Sequence, residues 1–183
     1  MSTQYYYLVS QLPDISAVTE KSNLPITEAY YRDLCSRFLT EHQLEILNNL
    51  SLVPPKDVGS TGSAFLDKWY ENERGLRYAL AQIRAQKMKK NFDMSSFTPQ
   101  GDVVQAARTA IGMDSPLSAE QFLHEYRMGV LNNLHSLDYF SVDAIYEYGI
   151  RLLLVQRMKK FNKETGVVSY RKIYDSILEK EHD

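Results

Sequence analysis

Few residues in this sequence have types and spacings that suit chemistry. His124 and Glu125 stand side by side, an imidazole next to a carboxylate, the pairing that general acid–base catalysis uses when both groups line a pocket. Glu73 is a third group of that kind. All of them fall on amphipathic helical patterns, where polar groups ordinarily face water. The remaining histidines, His42, His135 and His182, are scattered, and no two histidines have the paired spacing, with a third ligand at hand, of a metal site. Gly59-Ser60-Thr61-Gly62-Ser63 precedes a helical stretch, a place where backbone N–H groups can hold a phosphate. No Gly-Lys-Ser/Thr follows it and no strand leads into it, so it reads as a flexible loop. Cys35 lies on a helical pattern with no histidine beside it, as a small buried apolar residue does. The sequence also lacks a nucleophile elbow and a dinucleotide-binding glycine fingerprint. It therefore assigns no catalytic, cofactor-binding or metal-binding residue, and the expected role is not enzymatic.

Helices must position these groups. The longest regular stretch runs from Ala64 to about Phe92, without proline and rich in helix formers. Phe65, Trp69, Leu76, Leu80 and Ile83 recur along it at helical spacing, and Asn72 and Glu73 interrupt that apolar stripe. Glu73 precedes Arg77 by four residues, the favourable orientation for a helix ion pair. Lys87, Lys89 and Lys90 suit the negative end of the helix dipole. Part of this stretch recurs: Gly75-Leu76-Arg77 with Leu80 and Gln82 lines up with Gly149-Ile150-Arg151, Leu154 and Gln156. Leu-Asn-Asn-Leu precedes each copy, at residues 47–50 and 131–134, and the segment from Pro54 to Ser63 lengthens the first spacer. The pattern reads as two related helix-pair modules, residues 25–92 and 102–180, the first with an extra loop.

Local signals fill in the rest. Tyr5-Tyr6-Tyr7-Leu8-Val9 is rich in strand formers and reads as a short N-terminal extended segment or an opening helical turn. Thr27 is placed to cap one helix, Thr40 with Gln43 and Ser118 with Gln121 to form capping boxes, and Ser141 to cap the next. The helix from Val142 to about Phe161 is apolar around much of its circumference and should be central, with Arg151 in need of a partner or an exit to solvent. Gly166 marks a turn, and Tyr170, Ile173, Tyr174, Ile177 and Leu178 make a last amphipathic helix. The expected fold is an all-α bundle, one domain over residues 1–183.

Composition narrows the partners. A net charge of -2 with interspersed signs gives no drive toward nucleic acid or an anionic membrane. The single cysteine excludes an intrachain disulfide and fits a reducing compartment. The N-terminal residues do not resemble a signal peptide, and no apolar run is long enough to span a bilayer. A cytoplasmic protein is expected, reaching a membrane only through partners. The 13 tyrosines suit contacts between helices or between proteins.

Tyr5-Tyr6-Tyr7-Leu8-Val9 followed by Leu12-Pro13, then Leu76-Arg77, Leu80-Ala81 and Arg84-Ala85, resemble an uncharacterised bacterial family typically encoded within V-type ATPase operons. The closing run of Phe140, Asp143, Tyr148, Arg151-Leu152, Arg157, Phe161-Asn162 and Gly166 fits the same pattern. That family is similar in operon position and helical character to the stalk-socket subunit of V/A-type ATPases, which is lettered C there and d in eukaryotic nomenclature. The resemblance implies a helical socket between the central stalk and the rotor ring that passes torque without making or breaking covalent bonds. Typical socket proteins of this type are nearly twice as long, with three related domains, so a two-module chain leaves open a true socket subunit, a shortened replacement and an accessory factor.

The leading expectation is thus a non-enzymatic coupling or assembly subunit of a V-type ATPase, with stalk and ring subunits as partners. A helical adaptor or regulator of some other protein is the alternative. Arginine and tyrosine are common interface hot spots, so the candidate contact residues are Arg77, Arg84, Arg151 and Arg157, with Tyr5, Tyr6 and Tyr7 as aromatic anchors.

Overall fold

A computed structural model of the chain describes residues 5–16, 18, 22–56, 59–91, 99–161 and 163–180. Among the described residues the protein is all-α, with eight helices and no strand: α1 (Tyr6–Gln11), α2 (Glu28–Ser36), α3 (Glu41–Asn48), α4 (Ala64–Lys87), α5 (Gly101–Gly112), α6 (Pro116–Leu134), α7 (Val142–Lys159) and α8 (Lys163–Lys180). None of them is long and apolar enough to cross a membrane.

Most helix starts follow side-chain chemistry that the sequence displays. Thr27 accepts from the Tyr30 backbone N–H at 3.2 Å. Thr40 and Gln43 cap one another reciprocally at the head of α3. Ser141 accepts from Ala144 N–H at 3.3 Å. The start of α6 departs from expectation: Ser115, not Ser118, is the cap, and Pro116 takes the first helical turn, where its missing N–H costs nothing.

Residues 5–9 also depart from the extended reading. Tyr6 to Gln11 form a helix, with no neighbouring strand to satisfy an extended backbone. Leu8 is buried on its inner side, and Tyr5 just before it donates its N–H to the Phe140 carbonyl at 2.8 Å. Gly166 lies within α8 instead of marking a turn.

The long helix stops at Lys87, short of Phe92, because Lys89 takes a left-handed conformation at φ 53°. Lys90 N–H then bonds the Ala85 carbonyl at 2.9 Å and Lys89 N–H that of Gln86 at 3.1 Å, the paired bonds of a Schellman ending. Glycine is the residue that occupies such a position without steric cost. Lys89→Gly is therefore expected to stabilise the protein by about 1 kcal/mol, read from the denaturant midpoint. An unchanged or lower midpoint would remove that account of the helix end.

The loop before α4 is ordered around Asp67. Its carboxylate accepts from Thr61 N–H at 2.7 Å and from the Ser60 and Thr61 hydroxyls. Burial pushes this carboxyl up, but the Thr61 N–H and the two hydroxyls more than reverse that and hold it below its ordinary range. Gly62, at φ 85°, makes the bend, and its N–H and that of Ser63 bond Ser60 and Thr61 side chains. The N–H groups of Thr61, Gly62 and Ser63 are thus spent inside the loop. Ser63 caps α4 and also donates to Asp143 at 2.6 Å, joining the head of α4 to the first turn of α7.

The buried residues form two clusters. The larger gathers α1, α2, α3, the first half of α4 and α7 around Tyr31, Leu47, Trp69, Ile145 and Ile150. The smaller packs Leu76, Ala79 and Leu80 of α4 against the small residues of α5 and Leu123 of α6. Helix α4 belongs to both. Cys35 is wholly buried in the larger cluster, and burial pushes its thiol up to about 12. A thiol-alkylating reagent at mildly alkaline pH should modify Cys35 only when denaturant is added, because the thiolate is the reactive species. Rapid stoichiometric labelling of the native protein would contradict this burial.

Candidate functional site

The matched segments of α4 and α7 each build a buried carboxylate held by two side chains, one of them an arginine one turn along the same helix. On α4, Glu73 Oε1 accepts from Arg77 Nε at 2.8 Å, one turn along the helix. Its carboxylate also receives Arg127 of α6 in a two-point contact at 2.8 and 2.9 Å. On α7, Glu147 accepts from Arg151 at 2.8 Å, again one turn along, and meets His135 Nδ1 at 2.6 Å just past the end of α6. Both carboxylates are buried. An isolated carboxylate at such depth is costly, and a planar guanidinium that bonds both oxygens is the strong compensating partner. The sequence repeat is thus also a repeat of a glutamate–arginine pair one turn apart, with the second partner supplied by α6 in one copy and by the residue just past its end in the other.

Close packing surrounds the α7 copy. A Cβ on Gly149 would lie 2.6 Å from Leu50 Cδ1 and 2.8 Å from the Tyr31 hydroxyl. That hydroxyl donates to the Ile145 carbonyl at 2.7 Å, which locks α2 onto α7, and burial pushes it well above the usual tyrosine range. Beside Glu147 a cleft of about 620 Å³ opens between α7, the end of α6 and residues 9–16. Arg151 reaches it while one of its nitrogens bonds Glu147 and Asn132. Asp14 lies on the same cleft. The Ser16 N–H and hydroxyl hold its carboxyl below the usual range, and the Arg151 charge adds to that.

The residues singled out from the sequence are not gathered in one place. Arg77 bonds Glu73 and the Leu52 carbonyl, and Arg151 bonds Glu147 and Asn132. Arg157 pairs with Glu120 at 2.8 Å and lies over the Phe161 ring. Arg84 is exposed. Tyr5 is a core residue, 7% exposed, with its hydroxyl on Gln43, so it is no surface anchor. Tyr6 and Tyr7 are exposed and lie near Phe140 and Phe38. Of the basic helix ends, Lys87 caps the last turn of α5 by donating to Ile111, and Lys159 donates to the Ser22 carbonyl. His124 and Glu125 line a smaller cleft with Lys159, whereas Glu73 is buried elsewhere in its own ion pairs.

Arg127 and His135 escaped the sequence reading. Arg127 stands on a helix of mixed character and His135 just past its end, and only the fold brings each to its carboxylate, 54 and 12 residues away respectively. The available signal was a glutamate breaking an apolar stripe, which calls for a cation from another helix. Among the described residues no cluster of histidine, cysteine and carboxylate side chains is arranged to hold a metal ion. No family model, curated protein or solved structure matches the chain.

Proposed function

We propose that this chain is a non-enzymatic coupling or assembly subunit of a V-type ATPase, similar in role to the helical socket between central stalk and rotor ring. The observation that carries the reading is the duplicated clamp: Glu73 with Arg77 and Arg127, and Glu147 with Arg151 and His135. Each clamp joins a long helix to α6 or to the residue just past it through directional, buried or half-buried bonds, which resist sliding of one helix past another. A body that passes load between two partners needs that stiffness. The resemblance of the N-terminal and Arg-containing segments to proteins of V-type ATPase operons supplies the choice of motor. Exposed apolar side chains at Tyr7, Leu137 and Tyr139 favour a protein-binding role and would equally serve a helical adaptor outside the ATPase.

The test is affinity purification of the tagged protein from mildly solubilised native membranes, with mass spectrometry of what co-elutes. Stoichiometric recovery of stalk and ring subunits is the expected result, and recovery of soluble ATPase subunits alone would mark an assembly factor. Absence of every ATPase subunit, under conditions that keep the motor intact, would end this reading in favour of the adaptor. Contact is best probed at exposed Arg84 and Tyr7. Reversing Arg77 or Arg151 would set a negative charge against a buried glutamate and disturb the fold as well.

A further inference from the structure

Helix α8 and the open side of α7 are two uncovered surfaces that fit one another. On α7, the residues lining the 620 Å³ cleft (Ala144, Glu147, Tyr148, Arg151) and those lining the 370 Å³ cleft (Val155, Met158, Lys159) follow one helical face. The two clefts therefore succeed each other as one groove. Helix α7 is the floor, α6 forms one wall and the N-terminal segment around Asp14 and Val18 the other. Helix α6 runs antiparallel to α7 along it, as His135–Glu147 at one end and Glu120–Arg157 at the other require. From Ala144 to Lys159 the floor rises about 23 Å, enough for roughly four turns of a docked helix.

Helix α8 has 18 residues, a length of about 27 Å. Val167, Tyr170, Tyr174 and Ile177 fall on one of its faces at alternating spacings of three and four, the pattern of a helix-packing seam, and all of them are exposed. Tyr170 and Tyr174 stack at 6.1 Å without covering one another from water. Arg171 flanks this seam, and the groove walls carry Asp14 and Glu125. Asp14, Glu125 and Arg171 form no ion pair among the described residues, and the cations of the floor, Arg151 and Lys159, are engaged by Glu147 and the Ser22 carbonyl, so the two walls offer acidic partners to Arg171. Here α8 stands off its own body while the groove remains open. Docking into the groove of another copy uses this arrangement as it is, whereas docking into its own groove requires the helix to hinge back.

We propose that two copies of this chain exchange their α8 helices, each laying the Val167–Ile177 seam into the α6–α7 groove of the other. The exchange is reciprocal, so it closes as a two-fold dimer without leaving a free surface to propagate. It goes beyond the coupling role and does not rest on it.

The experiment is light scattering of the full chain across a dilution series, with far-UV circular dichroism and melting of each variant. The expected mass is twice 21.2 kDa. Tyr170→Glu with Tyr174→Glu on α8, and Tyr139→Glu on the groove rim, should each raise the dimer dissociation constant about tenfold or more, since buried tyrosines are common hot spots. All three positions are exposed in the single chain, so each variant should still fold as a monomer, with Tyr139→Glu losing only a ring contact with His135. A wild-type protein that stays monomeric overturns the proposal. A dimer weakened by the α8 pair but indifferent to Tyr139→Glu also overturns it, and would mean that α8 pairs with α8.

Discussion

Replacing Glu73 with alanine is expected to lower the unfolding free energy by about 3–5 kcal/mol, a large share of what a domain of this size possesses. The loss does not come from the Arg77 contact. Arg77 has a side chain 45% exposed, and once released it can turn to water. Arg127 has no such exit: its side chain is only 9% exposed, and its Nε and one terminal nitrogen both donate to Glu73. Removing the carboxylate leaves that guanidinium buried and uncompensated, which is the expensive half of breaking a buried pair. The measurement is a denaturant titration. Its control is Glu73→Leu combined with Arg127→Met, which removes both charges and should recover most of the stability. A loss under about 1 kcal/mol for the single variant, the range of surface pairs, would show that Arg127 reaches solvent.

The second large effect is expected at Gly149. Gly149→Ala should destabilise the protein by about 1–3 kcal/mol, because the added methyl meets both Leu50 and the Tyr31 hydroxyl in a packed core. At 2.6 and 2.8 Å those contacts are too close to be absorbed without moving α2 or the end of α3 away from α7. Tyr31 cannot shift freely, since its hydroxyl is held by the Ile145 carbonyl. Gly129 of α6 gives the matched comparison. A Cβ there meets nothing within 4 Å, so Gly129→Ala should stabilise by up to about 1 kcal/mol through helix propensity alone. Equal shifts at the two sites in thermal melts would contradict the close approach of α2 to α7.

How legible this fold was in the sequence depended on distance along the chain. Thr27, Thr40 with Gln43, and Ser141 announce their helices because a cap bonds a backbone group only three residues away. The Glu73–Arg77 and Glu147–Arg151 pairs are equally local, and their spacing discloses them. Burial of those glutamates is not local. Glu73 looks like a break in an apolar stripe until α6 brings Arg127 to it. Tyr5 misleads for the same reason: as one of three adjacent tyrosines it looks like its neighbours, and only the carbonyl of Phe140 and the side chain of Gln43 draw it inward. Ser115 and Ser118 are both plausible caps on local grounds, and Pro116 decides between them by fitting the first turn.

The position of α7 in the larger cluster has a consequence for biosynthesis. Tyr31 finds its acceptor 114 residues downstream, and the Pro13 carbonyl receives its donor, the Tyr148 hydroxyl, from 135 residues downstream. While the ribosome is still making the chain before α7, helices α1 to α3 lack the main part of the floor they close against, with α4 supplying only Phe65 to Tyr70. Their apolar faces stay open until Ile145 and Ile150 have left the exit tunnel, so the first core forms late in translation although most of its helices are made early. A nascent chain stalled before Val142 should therefore be protease-sensitive in its first fifty or so residues and recruit a chaperone there, and one released after Lys159 should not.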